Sequence, residues 1–168
     1  MEFLNALLAL VTNDILLVPI FASFVAQLLK LLVNGIVNKK FSAERLWGDG
    51  GMPSAHSATV VSLAAMCGFC APGGFGSPYF AIAAMFAFIV MHDALGVRRE
   101  TGKQAVSIIE IADMLNEYFG EKDDEIKTDK LKVLVGHTPL QVVCGALVGL
   151  VVVLLYLLVF KGIIGLPY

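Results

Sequence analysis

The chain has 168 residues, 58% of them hydrophobic and 15% charged, with a formal net charge of −2. A soluble domain carries about 25% charged residues, so the composition excludes an ordinary soluble protein. An integral membrane protein in contact with lipids is expected, with no nucleic-acid partner.

Residues 1–14, MEFLNALLALVTND, place Phe3, Leu7, Leu10 and Val11 at helical spacing. The stretch is too short to cross a bilayer and suits a helix lying in the interface. Four later stretches, 15–37, 55–71, 79–95 and 139–160, approach the about 20 apolar residues that cover roughly 30 Å of hydrocarbon. The first is too long for a signal-peptide core and has no convincing small-residue cleavage site after it, so it reads as a retained span. The second starts after GDGGMPS, where paired glycines and a proline break regular structure and Ser54 can cap the helix that follows. PGGFGSP then makes an uncharged turn to the third.

After Gly96, Ala105, Ile108, Ile109, Ala112, Leu115 and Phe119 recur at intervals of three and four among polar residues. This predicts an amphipathic helix from about Gly102 to Phe119, whose apolar stripe rests on the membrane surface or covers the helix ends beneath it. EKDDEIKTD has almost nothing to bury and reads as a solvated linker. Cys67, Cys70 and Cys144 fall inside proposed spans, where thiols act as small packing residues; the CGFC spacing has no second pair to make a metal or redox centre. The expected fold is an all-α, single-domain bundle of four transmembrane helices, with an N-terminal interfacial helix and a cytoplasmic amphipathic helix. Four spans shelter a polar cleft thinly, and a homodimer is compatible with that.

If the spans alternate, residues 38–52 and 96–138 lie on one side. That side holds Lys39, Lys40, Arg45, Arg98, Arg99, Lys103, Lys122, Lys127, Lys130 and Lys132, and the other only Lys161. The positive-inside rule counts Lys and Arg rather than net charge, so the basic side is read as cytoplasmic, with both termini outside. The polar residues of the spans gather at the same side. Gln27, Lys30, Asn34 and Asn38 line one face of the first span; His56 opens the second, His92 and Asp93 close the third, and His137 stands just before the fourth. Polar groups in a membrane are costly and turn toward a bundle interior or a wet cavity, so four helices delivering them to one depth mark a site. In GGMPSAHS, glycines including Gly51 precede a helix start, where backbone N–H groups and the positive end of the helix dipole favour an anion. Lys30, Arg98 and Arg99 are the cations near it, and phosphate is the preferred ligand group ahead of a carboxylate.

GGMPSAHSATV, DALGVRRETGKQA and GHTPLQVVCGALVG, in that order, resemble the type 2 phosphatidic acid phosphatase superfamily, which includes vanadium haloperoxidases, and most of all its divergent membrane branch. The resemblance implies a membrane phosphatase that needs no metal or other cofactor, acting on a lipid phosphate or polyprenyl diphosphate. It implies that His137 is the nucleophile that becomes phosphohistidine and His56 the acid that protonates the leaving oxygen. Ser54 and nearby amides then hold the phosphate oxygens, Lys30 matches the lysine of the first motif, and Arg98 and Arg99 supply further positive charge. The chain departs from the superfamily pattern at Val37, Lys130, Leu131 and Ala55. The largest departure is Gln141, which stands where an acid orients the nucleophilic histidine; an amide accepts the ring N–H but brings no negative charge, and Asp93 is the substitute in reach of the same side.

Two other readings use the same residues. One keeps the anion site without turnover, as a binder, carrier or sensor of phosphate or lipid headgroups. The other makes His56, His92, His137 and Asp93 a metal site, although their spacing is no metal motif and nearby cations oppose it.

Overall fold

The computed structural model describes residues 1–38, 51–119, 126–127 and 136–162. The basic segment at Lys39, Lys40 and Arg45, most of the acidic linker, Lys130 and Leu131 lie outside the described residues, as do the side chains of Val37, Asn38 and Phe119. The described residues form helices α1 (Glu2–Val11), α2 (Asp14–Asn38), α3 (Ala55–Cys70), α4 (Pro78–Leu95), α5 (Val97–Phe119) and α6 (Pro139–Phe160), with a 3₁₀ turn at Gly74–Gly76 and no strand among them.

The bundle is built around α3, which packs against α2, α4 and α6. Its residues explain that position. Ala55, Ala58, Ala64 and Ala65 are small enough to admit neighbouring backbones, and the Thr59 and Ser62 hydroxyls satisfy themselves on the carbonyls of Ala55 and Ala58 at 2.8 and 2.6 Å. Such a helix can be buried on all sides without orphaned polar groups. Gly145 and Gly149 of α6 face it; a Cβ on the first would strike the Ser54 carbonyl oxygen, and on the second the Ala58 carbonyl oxygen. This glycine pair, four residues apart, lets the two backbones touch and sets the register of α6 along α3. Farther along, Met66 and Val153 are fully buried with Val18, Ala22 and Val152, joining α2, α3 and α6. Cys67 packs with Ala64 and Ala83 in a separate cluster, as a small apolar residue.

Among the described residues, three stretches are long and apolar enough to cross a membrane: Asp14–Ile36, Pro139–Phe160, and the apolar part of the rod Pro78–Tyr118. Four spans were expected from the sequence, but α3 has 16 residues and reaches about 24 Å at 1.5 Å per residue, less than the roughly 30 Å of hydrocarbon. The outer faces of α2, α4 and α6 expose large apolar side chains such as Phe21, Ile82, Phe88 and Leu155, the inverse of a soluble surface.

The amphipathic helix begins earlier than its periodicity indicated, at Val97 rather than about Gly102. Gly96 interrupts the rod for one residue: its N–H donates to the His92 carbonyl at 2.9 Å, and its own carbonyl accepts from Glu100 N–H at 3.0 Å. Helical bonding therefore resumes at once, and Arg98 and Arg99 sit in the first turn of α5. Of the expected stripe, Ala105 and Ala112 are buried, whereas Ile108 and Leu115 are exposed. Helix α1 has no buried residue.

Candidate functional site

Four elements meet at one end of the bundle. Helix α3 starts there, with Ser54 as its N-cap accepting from Ser57 N–H at 3.3 Å and from the Ser57 hydroxyl at 3.0 Å. Helix α6 starts beside it, and the two starts are tied by Ser54 N–H donating to the Gln141 carbonyl at 3.0 Å. The end of α4 contributes the Ala94 carbonyl, which accepts His137 N–H at 3.0 Å. Helix α2 contributes Lys30 and Asn34, 3% and 8% exposed.

These ties bring the two imidazoles together. The rings of His56 and His137 stand edge to face with centroids 5.9 Å apart, although 81 positions separate them in sequence. His137 is 2% exposed, while His56 is half-buried. The residue before His137 makes this seat possible. Gly136 has φ +87°, and a Cβ there would collide with the backbone of Arg98 and Arg99, so α5's first turn can press directly on the chain entering α6. Gly51, at φ +110°, does the same for Lys30: a Cβ would lie 3.1 Å from Lys30 Cδ. The lysine's aliphatic stem is thus laid along the loop that leads to Ser54.

The electrostatics favour an anion. Two helix N-termini are joined through Ser54 and Gln141, each carrying about half a positive charge, and a nearly buried lysine lies beside the loop that leads into one of them. Gln27, one turn before Lys30, carries an Oε1 that is buried without a hydrogen-bond partner.

The other residues singled out from sequence are engaged locally. Gln141 closes a capping box: its Oε1 accepts Thr138 N–H at 2.9 Å, and its N–H donates to Thr138 Oγ1 at 3.4 Å. The Thr138-x-x-Gln141 spacing is a capping signature readable from sequence, which a glutamate would satisfy equally. Asp93 accepts from Arg98 Nε at 2.6 Å, with both side chains about 40% exposed. Arg99 presses its backbone on Gly136 and has an exposed side chain. His92 is exposed and stacks on Phe88, ring centroids 6.1 Å apart, so it stands outside the imidazole pair. No group of three or more His, Cys, Asp or Glu converges among the described residues, and the four-residue metal set is not assembled.

Four residues that position the site went unmarked in the sequence: Gly136, Ser57, Thr138 and Gly145. Only Thr138 had a local signal, since the other three matter through what they touch in three dimensions.

The profile described as the divergent PAP2 family matches residues 11–152. A relative from Bacillus subtilis (strain 168), named as the uncharacterized membrane protein YuiD, is 38% identical over 151 residues, covering 86% of this chain and 94% of the relative. No solved structure matches significantly. With a family profile covering residues 11–152 and 38% identity to a membrane protein over most of both chains, the chain belongs to the divergent PAP2 family of integral membrane proteins.

Proposed function

We propose that this protein is a phosphatase that hydrolyses a lipid phosphate or polyprenyl diphosphate through a phosphohistidine at the cytoplasmic membrane face. The observation that carries the reading is the imidazole pair, 5.9 Å between centroids, set between two helix N-termini and a buried lysine.

The chemistry needs that pair. A nitrogen of His137 attacks phosphorus; the N–P bond forms as the bond to the leaving oxygen breaks, and His56 gives that oxygen its proton. Water then attacks phosphorus, the N–P bond breaks, and His56 regains a proton from the water. Lys30, Ser54 with its neighbouring amides, and the helix ends hold the non-reacting oxygens, where pre-set positive charge serves the transition state best. Gln27 and Asn34 supply further polar contacts, Gly51 keeps the loop close to Lys30, and Arg98 and Arg99 draw the anion in from the aqueous side, Arg98 held by Asp93. Gln141 keeps the start of α6 in place beneath His137. Positive charge on α5 and along residues 39–50 supports a cytoplasmic orientation.

The amide at Gln141 favours a second reading, in which no acid orients His137 and the site binds phosphate or headgroups without turnover. Brief exposure to labelled lipid phosphate or polyprenyl diphosphate, followed by alkaline denaturation and mapping, separates the two. Label on His137, absent in His137→Ala, supports the enzyme. Phosphate binding with no label from any such substrate leaves the binder.

A further inference from the structure

A groove of about 750 Å³ runs between α2 and α6. Its walls are Phe21, Val25 and Leu29 on one side and Leu147, Val151 and Leu155 on the other. The helices are antiparallel, so Leu29 and Leu147 stand at one end and Asp14 at the other, where Asp14 pairs with Lys161 at 3.4 Å. The near end lies close to the site: Leu29 precedes Lys30 in α2, and Val148, which also lines the groove, packs on Ala26, Ala55 and Ala58, the last two in the first turn of the helix that Ser54 caps. The groove is therefore apolar along its length, with Asp14 and Tyr156 at its far end and Lys30 one residue past Leu29 at the other.

An apolar groove open to the bilayer fills with hydrocarbon, because nothing else there matches it. Its length selects among hydrocarbons. From Asp14 to Leu29 the α2 wall rises about 22 Å at 1.5 Å per residue, well past the midplane of a core roughly 30 Å thick. A chain of an ordinary two-tailed lipid, anchored at the site's face, ends near that midplane, and a single groove leaves its second tail outside. One long chain occupies the whole length. The ion pair closes the far end, since a chain pushed past it would strip water from both charges.

Resting on the phosphatase reading for where the phosphate sits, we propose that the α2–α6 groove binds the hydrocarbon chain of the substrate, a single polyprenyl chain longer than one leaflet, running from beside Lys30 to the Asp14–Lys161 pair. The chain's binding free energy is then used at a distance from phosphorus, and short-chain substrates lose it.

The test uses the full-length wild-type protein in phosphatidylcholine nanodiscs and a polyprenyl phosphate with a diazirine at the end of its chain. Photolabel mapped to α2 and α6 near the Asp14 end, and displaced by unlabelled polyprenyl phosphate, is the expected result. Label spread over the outward face of α4, or label that excess ligand fails to displace, overturns the proposal. Equal labelling of the groove by a two-tailed phosphatidic acid carrying the same group overturns the polyprenyl assignment. Disulfide-linked dimers of Phe21→Cys, with loss of the label, would show the groove covered by a second copy and also overturn it. In a second arm, Leu155→Trp narrows the far half of the groove and lowers the ratio of kcat/KM for a long-chain over a farnesyl-length substrate about tenfold; an unchanged ratio counts against the groove. Displaceable groove label without phosphate release supports the chain site and sinks the hydrolysis, whereas release without groove label sinks the chain site alone.

Discussion

Gly145→Ala adds one carbon where α6 meets α3. That Cβ would stand 3.0 Å from both the carbonyl carbon and Cβ of Ser54 and would touch the Ser54 carbonyl oxygen more closely still. Carbon contacts relax to about 3.5–4.0 Å, so the helices must part by roughly 1 Å. Neither partner can yield by a side-chain rotation, because backbone is struck. Overpacking of this kind costs about 1–3 kcal/mol. At roughly 2–4 °C per kcal/mol for a chain of this size, the thermal midpoint in detergent falls by about 2–12 °C. The same displacement strains the bond from Ser54 N–H to the Gln141 carbonyl, which joins the two helix starts, and so opens the imidazole pair. A misplacement of about 1 Å in reacting groups costs on the order of 100-fold in rate, which steady-state phosphate release measures. Gly76→Ala is the matched control, since a Cβ there has nothing within 4 Å, and it should leave both readouts within error. A Gly145→Ala protein with unchanged midpoint and unchanged rate would refute the close approach of α3 and α6 as what holds the site.

Gly136→Ala combines a left-handed backbone with a collision against Arg99; it should lower stability by about 1–3 kcal/mol and abolish phosphohistidine formation, read by thermal shift and label mapping. Gln141→Glu preserves the capping box, since glutamate serves at that position as well as glutamine. It adds the missing negative charge, so phosphate release should hold or rise; loss of fold would show that the amide has another partner. Lys30→Met keeps the stem that lies along Gly51 and removes the charge, so phosphate affinity, measured by equilibrium binding of labelled phosphate, should fall about tenfold or more. Asp93→Asn breaks a half-exposed ion pair worth at most about 1 kcal/mol; a small change in midpoint and a rate within a fewfold are expected, and a collapse in rate would place the carboxylate in the chemistry.

Composition and periodicity alone settled that the chain is an all-helical membrane protein, and the apolar runs located α2, α4 and α6 to within a few residues. This was legible because hydrocarbon demands internally bonded backbone and a minimum length, and both demands are local in sequence. The cap at Ser54 was readable too, because a cap is chosen by residues next to each other in the chain. The tertiary structure decided the rest. It showed that α3 is a short buried post, because its small residues and the glycines of α6 act only as a pair. It joined α5 to α4 through Gly96, since one residue with its bonds satisfied does not end a rod. It assigned Gln141 to a cap and Asp93 to Arg98. The distance between two rings 81 positions apart depends on where backbones can touch, at Gly136, Gly145 and Gly149, and contacts of that kind leave no periodic trace in the chain.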